Sequence, residues 1–263
     1  MSLDKTNYLY HASDNLIKLY DDLTQYALDD IVERLLQNGV ITGIAQYRIW
    51  RLQQLGLHLD KIKAYIVKMT GKSNKEIEKI FKDYGIKYYK AVRQISINYG
   101  DNSVLSLETS QLMSDVLSYY ISSTKGTVNN LTRTTAVSSQ QLLINKLDQV
   151  HYRVVSGMQS YSQAISEAVD EIGKTQLQVK YPSGAKSTIE AAVRRAVVTG
   201  VNKCFADLNL IRAKEGGYNH VLVSAHLGAR VVENPDPEYL SHIRWQGKVY
   251  SVNFSQIPIM NMI

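Results

Sequence analysis

Apolar residues recur three or four positions apart along most of this chain, and a two-residue alternation replaces that spacing only near its end. The first period marks helices with one buried face and the second marks strands. Ser13 stands before a helix with Leu16, Leu19, Leu23, Ala27, Ile31 and Leu35 inward, and Gly39 is its expected stop. Thr42 precedes a second helix through Ile44, Tyr47, Trp50 and Leu55 to Gly56, and the stretch LDKIKAYIVKM predicts a third that ends at Gly71. Ser73 and Glu76 have the spacing of a capping box, so a fourth helix is predicted over Ile77, Ile80, Phe81 and Tyr84. Residues 103–124 form a further helical stretch. Joints this short predict antiparallel neighbours in a bundle.

The segment GTVNNLTRTT is poor in apolar periodicity and reads as a linker, which puts a domain boundary near Gly126. Beyond it, one helix carries Leu142, Leu143, Leu147, Val150 and Val154, and a second, YSQAISEAVDEIG, carries Ala164, Ile165, Ala168 and Ile172. LQVKY has the alternation of a brief strand before the turn at Pro182 and Gly184. Ser187 and Glu190 then read as a capping box for a helix with Ile189, Val193, Val197, Gly200, Cys204, Leu208 and Ile211 on one face, stopped by Gly216 and Gly217. HVLVSAH and KVYSVNF alternate as strands and predict a small antiparallel pair packed on that helix. The predicted fold class is therefore α+β and predominantly helical: a helical bundle over 1–125, then a helical domain over 126–263 with a small antiparallel sheet near the C-terminus.

Composition adds bounds rather than chemistry. A hydrophobic content of 44% supports a packed core, and the charged content of 21% is ordinary. A net charge of +6 mildly favours an acidic partner such as DNA, although basic proteins with other roles are common. Cys204 is the sole cysteine, which excludes an internal disulfide framework, and its place on an apolar helix face suits a small core residue. No apolar run reaches the length of a membrane span, and the N-terminus lacks a signal pattern, so no membrane association is expected. Tyrosines 84, 88 and 89 lie among Lys82, Lys87, Lys90 and Arg93, a pattern that fits either stacking on nucleic acid or ordinary helix-boundary packing.

Catalytic signatures are missing. The chain has no phosphate loop of the GxxxxGK[ST] kind, no GxSxG elbow and no HExxH. His220, His226 and His242 fall near one small sheet, but their spacing matches no common zinc-ligand pattern, so no metal and no cofactor is assigned. The candidate contact residues are Arg195, Thr199 and Asn202, which share the side of their helix away from the apolar face and fit either a partner or a solvated surface. His226 and Arg230 fall at a strand exit, where they suit a hydrogen bond and a loop anchor. Trp245, with Gln246 beside it, suits either a core-anchored turn or an exposed interface anchor.

The ordered string YPSG, IEAAVRRAVVTGVN, LNLIRAKEGG, VLVSAHLGAR and WQGKVYS resembles the phage minor capsid protein 2 family, and more distantly the head-morphogenesis proteins of the Mu F type. The resemblance covers roughly Gly126 to Ser251, and the helices before it fit the family's layout. Val231 and Val232 stand where family members have a proline-led loop, and the members' Cys- and His-containing segment after WQG-x-x-YS is not found here. The resemblance implies a non-enzymatic minor capsid or head-morphogenesis protein of a tailed phage. It would sit at or near the portal, assist head assembly or DNA packaging and delivery, and touch the portal protein, other head proteins and packaged double-stranded DNA. Its implied location is the virion, at the capsid interior or portal vertex, after assembly in the host cytoplasm. The alternative is a sequence-independent DNA-binding module using Arg194, Arg195, Lys203, Arg212 and Lys214 along one helix.

Overall fold

A computed structural model describes residues 10–37, 41, 43–98, 110–181, 184–223 and 246–251. The chain is predominantly helical α+β. In order it forms α1 (Asp14–Leu36), α2 (Ile44–Asn98), α3 (Gln111–Val155), α4 (Tyr161–Gly173), β1 (Gln178–Lys180), β2 (Lys186–Thr188), α5 (Ile189–Glu215), β3 (His220–Leu222) and β4 (Val249–Ser251). Strands β1 and β2 pair antiparallel with Val179 opposite Ser187, and β3 and β4 pair antiparallel with Val221 opposite Tyr250.

Two predicted joints are absent because helices run through them. Gly56 and Gly71 do not end helices; both lie within the 55-residue α2. A glycine inside a helix costs only about 1 kcal/mol relative to alanine, and buried residues on both sides of each outweigh that: Leu55, Ile62, Met69 and Ile77. Ser73 is fully buried within α2 and caps nothing, while Glu76 accepts from Asn15 Nδ2 at 3.3 Å. The expected linker GTVNNLTRTT is also helical, and Gly126 lies inside α3. Its inward row is Thr124, Val128, Thr132, Thr135 and Ser139, all buried. Thr132 and Thr135 donate to the carbonyls of Val128 and Leu131 one turn back, and Ser139 to that of Ala136, so their hydroxyls are satisfied inside the helix.

The cap predictions shift in register. Ser187 lies in β2, and Thr188 is the residue that caps α5, its Oγ1 accepting from Ala191 N at 3.3 Å. Glu190 instead accepts from Thr24 Oγ1 at 3.2 Å. Ser13 precedes α1 but makes no cap bond; it donates to the carbonyl of Tyr10 at 2.7 Å. Gly39 and Thr42 lie outside the described residues. A capping box does occur at Ser160 and Gln163, at the start of α4. The stop at Gly216 and Gly217 is as predicted. Gly217 takes φ +74°, and the amides of Gly217 and Tyr218 donate to the carbonyls of Lys214 and Ala213.

The chain divides into two compact units. The first comprises Met1–Tyr84 and Tyr119–Val201. Its main core joins Ala27, Ile31 and Leu35 of α1, Leu55 and Ile62 of α2, Leu143, Leu147 and Val150 of α3, and Ala164, Ala168 and Ile172 of α4. Within it α2 and α3 run antiparallel: Tyr47 meets Asp148, His58 meets Ser139, and Glu78 meets Lys125. The second unit comprises Gly85–Ser118 and Asn202–Ile263. There Ser110 caps α3 through Met113 N at 3.2 Å and donates to Glu215 of α5 at 2.8 Å, while Cys204, Leu208 and Ile211 of α5 are buried. Burial pushes the Cys204 thiol up to about 12, in keeping with an inert core residue.

Candidate interaction surfaces

Helix α5 buries Val193, Val197, Val201, Cys204 and Leu208, and that fixes its outer side. Arg195, Thr199 and Asn202 are all exposed there, as their spacing predicts. The Arg195 guanidinium stands 6.0 Å from the Tyr181 ring. Its neighbour Arg194 is not available to a partner. It donates to Asp14 at 2.9 Å and Ser13 Oγ at 3.0 Å, and lies 3.9 Å from the Tyr10 ring. Hydrogen bonds from Arg194 and His11 hold the Asp14 carboxyl below its usual range. The basic set proposed for DNA on this helix therefore loses one member to the fold.

Gln246 is half-buried in the turn that leads into β4. Gly247 follows at φ +68°, donating to the carbonyl of Val223 at 2.8 Å. His220 is exposed in β3, beside the Asn219 side-chain oxygen at 2.7 Å. His226, Arg230, His242 and Trp245 lie outside the described residues. Among the described residues, no group of three His, Cys, Asp or Glu side chains is arranged to hold a metal ion.

Sequence patterning did not single out one surface of the first unit. The start of α2 packs against the end of α3: Tyr47 stacks on His151 at 3.6 Å and donates to Asp148 at 2.7 Å, and Arg51 pairs with Asp148 at 2.8 Å. At that end six large apolar side chains are exposed. They are Ile44, Ile49 and Leu52 of α2, Tyr152 and Val155 of α3, and Met158 in the turn before α4. Leu52 and Tyr152 are 66% and 67% exposed. Exposed apolar groups at one end of a helix pair are candidates for a contact site. The signal legible in the letters was Ile49 and Leu52 three apart on the side of α2 away from its core row.

The family model described as phage minor capsid protein 2 matches residues 5–257 of the 263. The chain belongs to that family. No curated protein matches it. No solved structure matches it. A member of this family is a structural component of the phage head, located in the virion and in contact with other head proteins. No described helix is long and apolar enough to cross a membrane.

One cluster in this phage head protein has the outline of a hydrolase site. His58 Nδ1 is 2.6 Å from Asp30, and His58 Nε2 is 3.1 Å from Ser139 Oγ. Arg34 Nε and Lys61 Nζ bind the same Asp30 carboxylate at 2.7 and 2.9 Å. Nucleophile, base and orienting acid are in the right order. Yet Asp30, His58 and Ser139 are buried, and the Ser139 hydroxyl donates to the carbonyl of Ala136 in its own helix. No substrate carbonyl reaches that oxygen. Burial pushes the Asp30 carboxyl up, but the bonds from Arg34, Lys61 and His58 outweigh it and hold the group below the usual carboxylate range. The cluster ties α1, α2 and α3 together at a buried charge, which needs every one of these partners.

Proposed function

We propose that this protein is a non-enzymatic head-morphogenesis protein that docks at or near the portal and assists head assembly or DNA packaging and delivery. The family match over residues 5–257 carries this reading. The apolar end built by Ile44, Ile49, Leu52, Tyr152, Val155 and Met158 supplies a docking surface for it. In this proposal residues 1–125 supply Ile44, Ile49 and Leu52 of the docking surface, and residues 126–263 supply Tyr152, Val155 and Met158 together with the outer side of α5 at Arg195, Thr199 and Asn202. The sequence-predicted contact residues His226, Arg230, Trp245 and Gln246 belong to the same proposal. The portal vertex and the capsid interior are the places such a surface would act, after assembly in the host cytoplasm.

Leu52 and Tyr152 are exposed, so charge placed there leaves the core untouched. The purified protein is expected to co-sediment with portal, and the variant L52E/Y152E to lose at least about tenfold in affinity, as truncation of central apolar anchors does. Undiminished binding of the variant would remove this surface from the proposal. No portal binding by the wild-type chain would remove the portal.

A further inference from the structure

Helix α2 carries a second feature that the docking reading does not use. Lys68, Lys72, Lys75, Lys79 and Lys82 follow one another four and three residues apart, and all five are exposed. The buried residues of the same stretch, Met69, Ser73, Ile77, Ile80 and Phe81, occupy the other side of the helix. The lysines therefore form one row along the outside of a continuous helix, about 21 Å long at 1.5 Å per residue. Lys61, one heptad earlier in the same row, is neutralised by Asp30 and Glu33 at 2.9 and 2.8 Å. None of the five that follow it forms an ion pair with a described residue.

Nearby acids do not cancel the row. Glu78 is held by Lys125 of α3, with Lys75 and Lys82 adding to the field that lowers its carboxyl. Glu76 accepts from Asn15 of α1, and Asp83 flanks Lys79 and Lys82. Three acids against five lysines leave the face cationic, and one of the three is already paired.

We infer that this lysine row binds the phosphate backbone of duplex DNA without reading its sequence. A duplex carries one charge per about 1.7 Å of axis, so the row faces on the order of a dozen phosphates. Lysines present point charges on flexible stems, which suits phosphate contact at any sequence. A protein partner fits less well, because protein interfaces deplete lysine and rely on aromatic or apolar anchors, and none lies between these five. The row is distinct from the basic set on α5. The inference does not depend on where in the head the protein sits.

The test is the salt dependence of binding of the full chain to a random-sequence duplex. Five phosphate contacts predict a loss of several-hundredfold in affinity between about 50 and 200 mM salt, from a slope near −0.9 per contact. The variant K72Q/K75Q/K79Q, altered only at exposed positions, should keep the wild-type helical signal and lose only about tenfold over the same range. The α5 variant R195Q/K203Q should keep the steep slope. An unchanged slope in the α2 variant, or a slope flattened by the α5 variant instead, overturns the assignment. So does poly-glutamate that displaces the duplex at equal charge, which would give the row to an acidic protein. Portal binding by the α2 variant, measured alongside, is expected to be unchanged, so failure here and failure of the docking proposal read out separately.

Discussion

His58 has no exposed surface, and its polar partners are Asp30 on one ring nitrogen and Ser139 on the other, with Arg34 and Lys61 around the same carboxylate. Burial lowers its pKa, and the two nearby cations add to that; the Asp30 carboxylate works against them without prevailing. The neutral ring then donates Nδ1–H to Asp30, and Nε2 shares the one Ser139 hydroxyl proton with the carbonyl of Ala136. In the unfolded chain His58 takes up a proton as the pH falls through about 6.5. In the fold it stays neutral to lower pH. The unfolded state therefore binds more protons in that window, and stability falls as the pH is lowered from about 6.5 towards the folded pKa. One proton sets the ceiling on that loss, at about 1.4 kcal/mol per pH unit. Asp30, whose folded pKa is depressed, adds a further loss only below about pH 4. Urea unfolding at pH 7.5 and 5.5 reads this directly. His58→Gln is expected to be less stable at both values but nearly flat between them. A variant as steep as the wild type would show that the slope has another source.

Helices α3 and α5 approach each other through small residues, and this is where sequence patterning was least informative. A Cβ built on Gly200 would stand 2.2 Å from Thr124 Oγ1 and 3.4 Å from the Phe81 ring. Thr124 is buried, so the hydroxyl has little room to withdraw. Gly200→Ala is expected to cost about 1–3 kcal/mol, the usual range for an overpacked core. Thr124→Ala in the same chain should recover most of it, because it removes the atom in the way. A thermal or urea double-mutant cycle measures the coupling, and additive effects would mean that the two helices do not meet there. The same row explains the misread linker. Thr, Asn and Gly in GTVNNLTRTT look like loop residues because their hydroxyls and amides bond locally. Here the threonine hydroxyls bond one turn back, and the small side chains let α5 come close. Where apolar faces were wide, as in α1, α4 and α5, periodicity placed the elements to within a few residues. Gly56 and Gly71 misled for the opposite reason: a glycine on the exposed side of a long helix is a weak stop when both flanks are packed. Of the candidate surfaces, the outer side of α5 was legible from spacing alone. The apolar end was not, because it joins residues about 100 positions apart through an antiparallel pairing that no local pattern reveals.

That pairing also governs how the molecule behaves as a whole. The main core takes Ala27, Leu28, Ile31, Leu35, Leu55 and Ile62 from the first half of the chain, and Leu143, Leu147, Val150, Ala164, Ile165, Ala168, Ile172 and Leu177 from the second. The buried charge is shared in the same way: Asp30, Arg34 and His58 lie before residue 125 and Ser139 after it. Neither half can bury its own apolar face. A fragment ending at residue 125 leaves α1 and α2 with an open hydrophobic side, and a fragment starting at 126 begins inside α3 and exposes Leu143 and Leu147. Each fragment alone is expected to lose most of its helical circular dichroism or to aggregate. Co-expressed, they should co-purify as a folded pair, since their union restores the core contacts and breaks one peptide bond at the exposed Gly126. The severed ends of α3 expose free backbone groups that water can satisfy, so the complex should be less stable than the intact chain but native in its spectrum. A 1–125 fragment that folds alone, with a cooperative urea transition and native helicity, would mean that the first half holds a sufficient core without α3 and α4. The docking end would then have to be sought on α1 and α2 only.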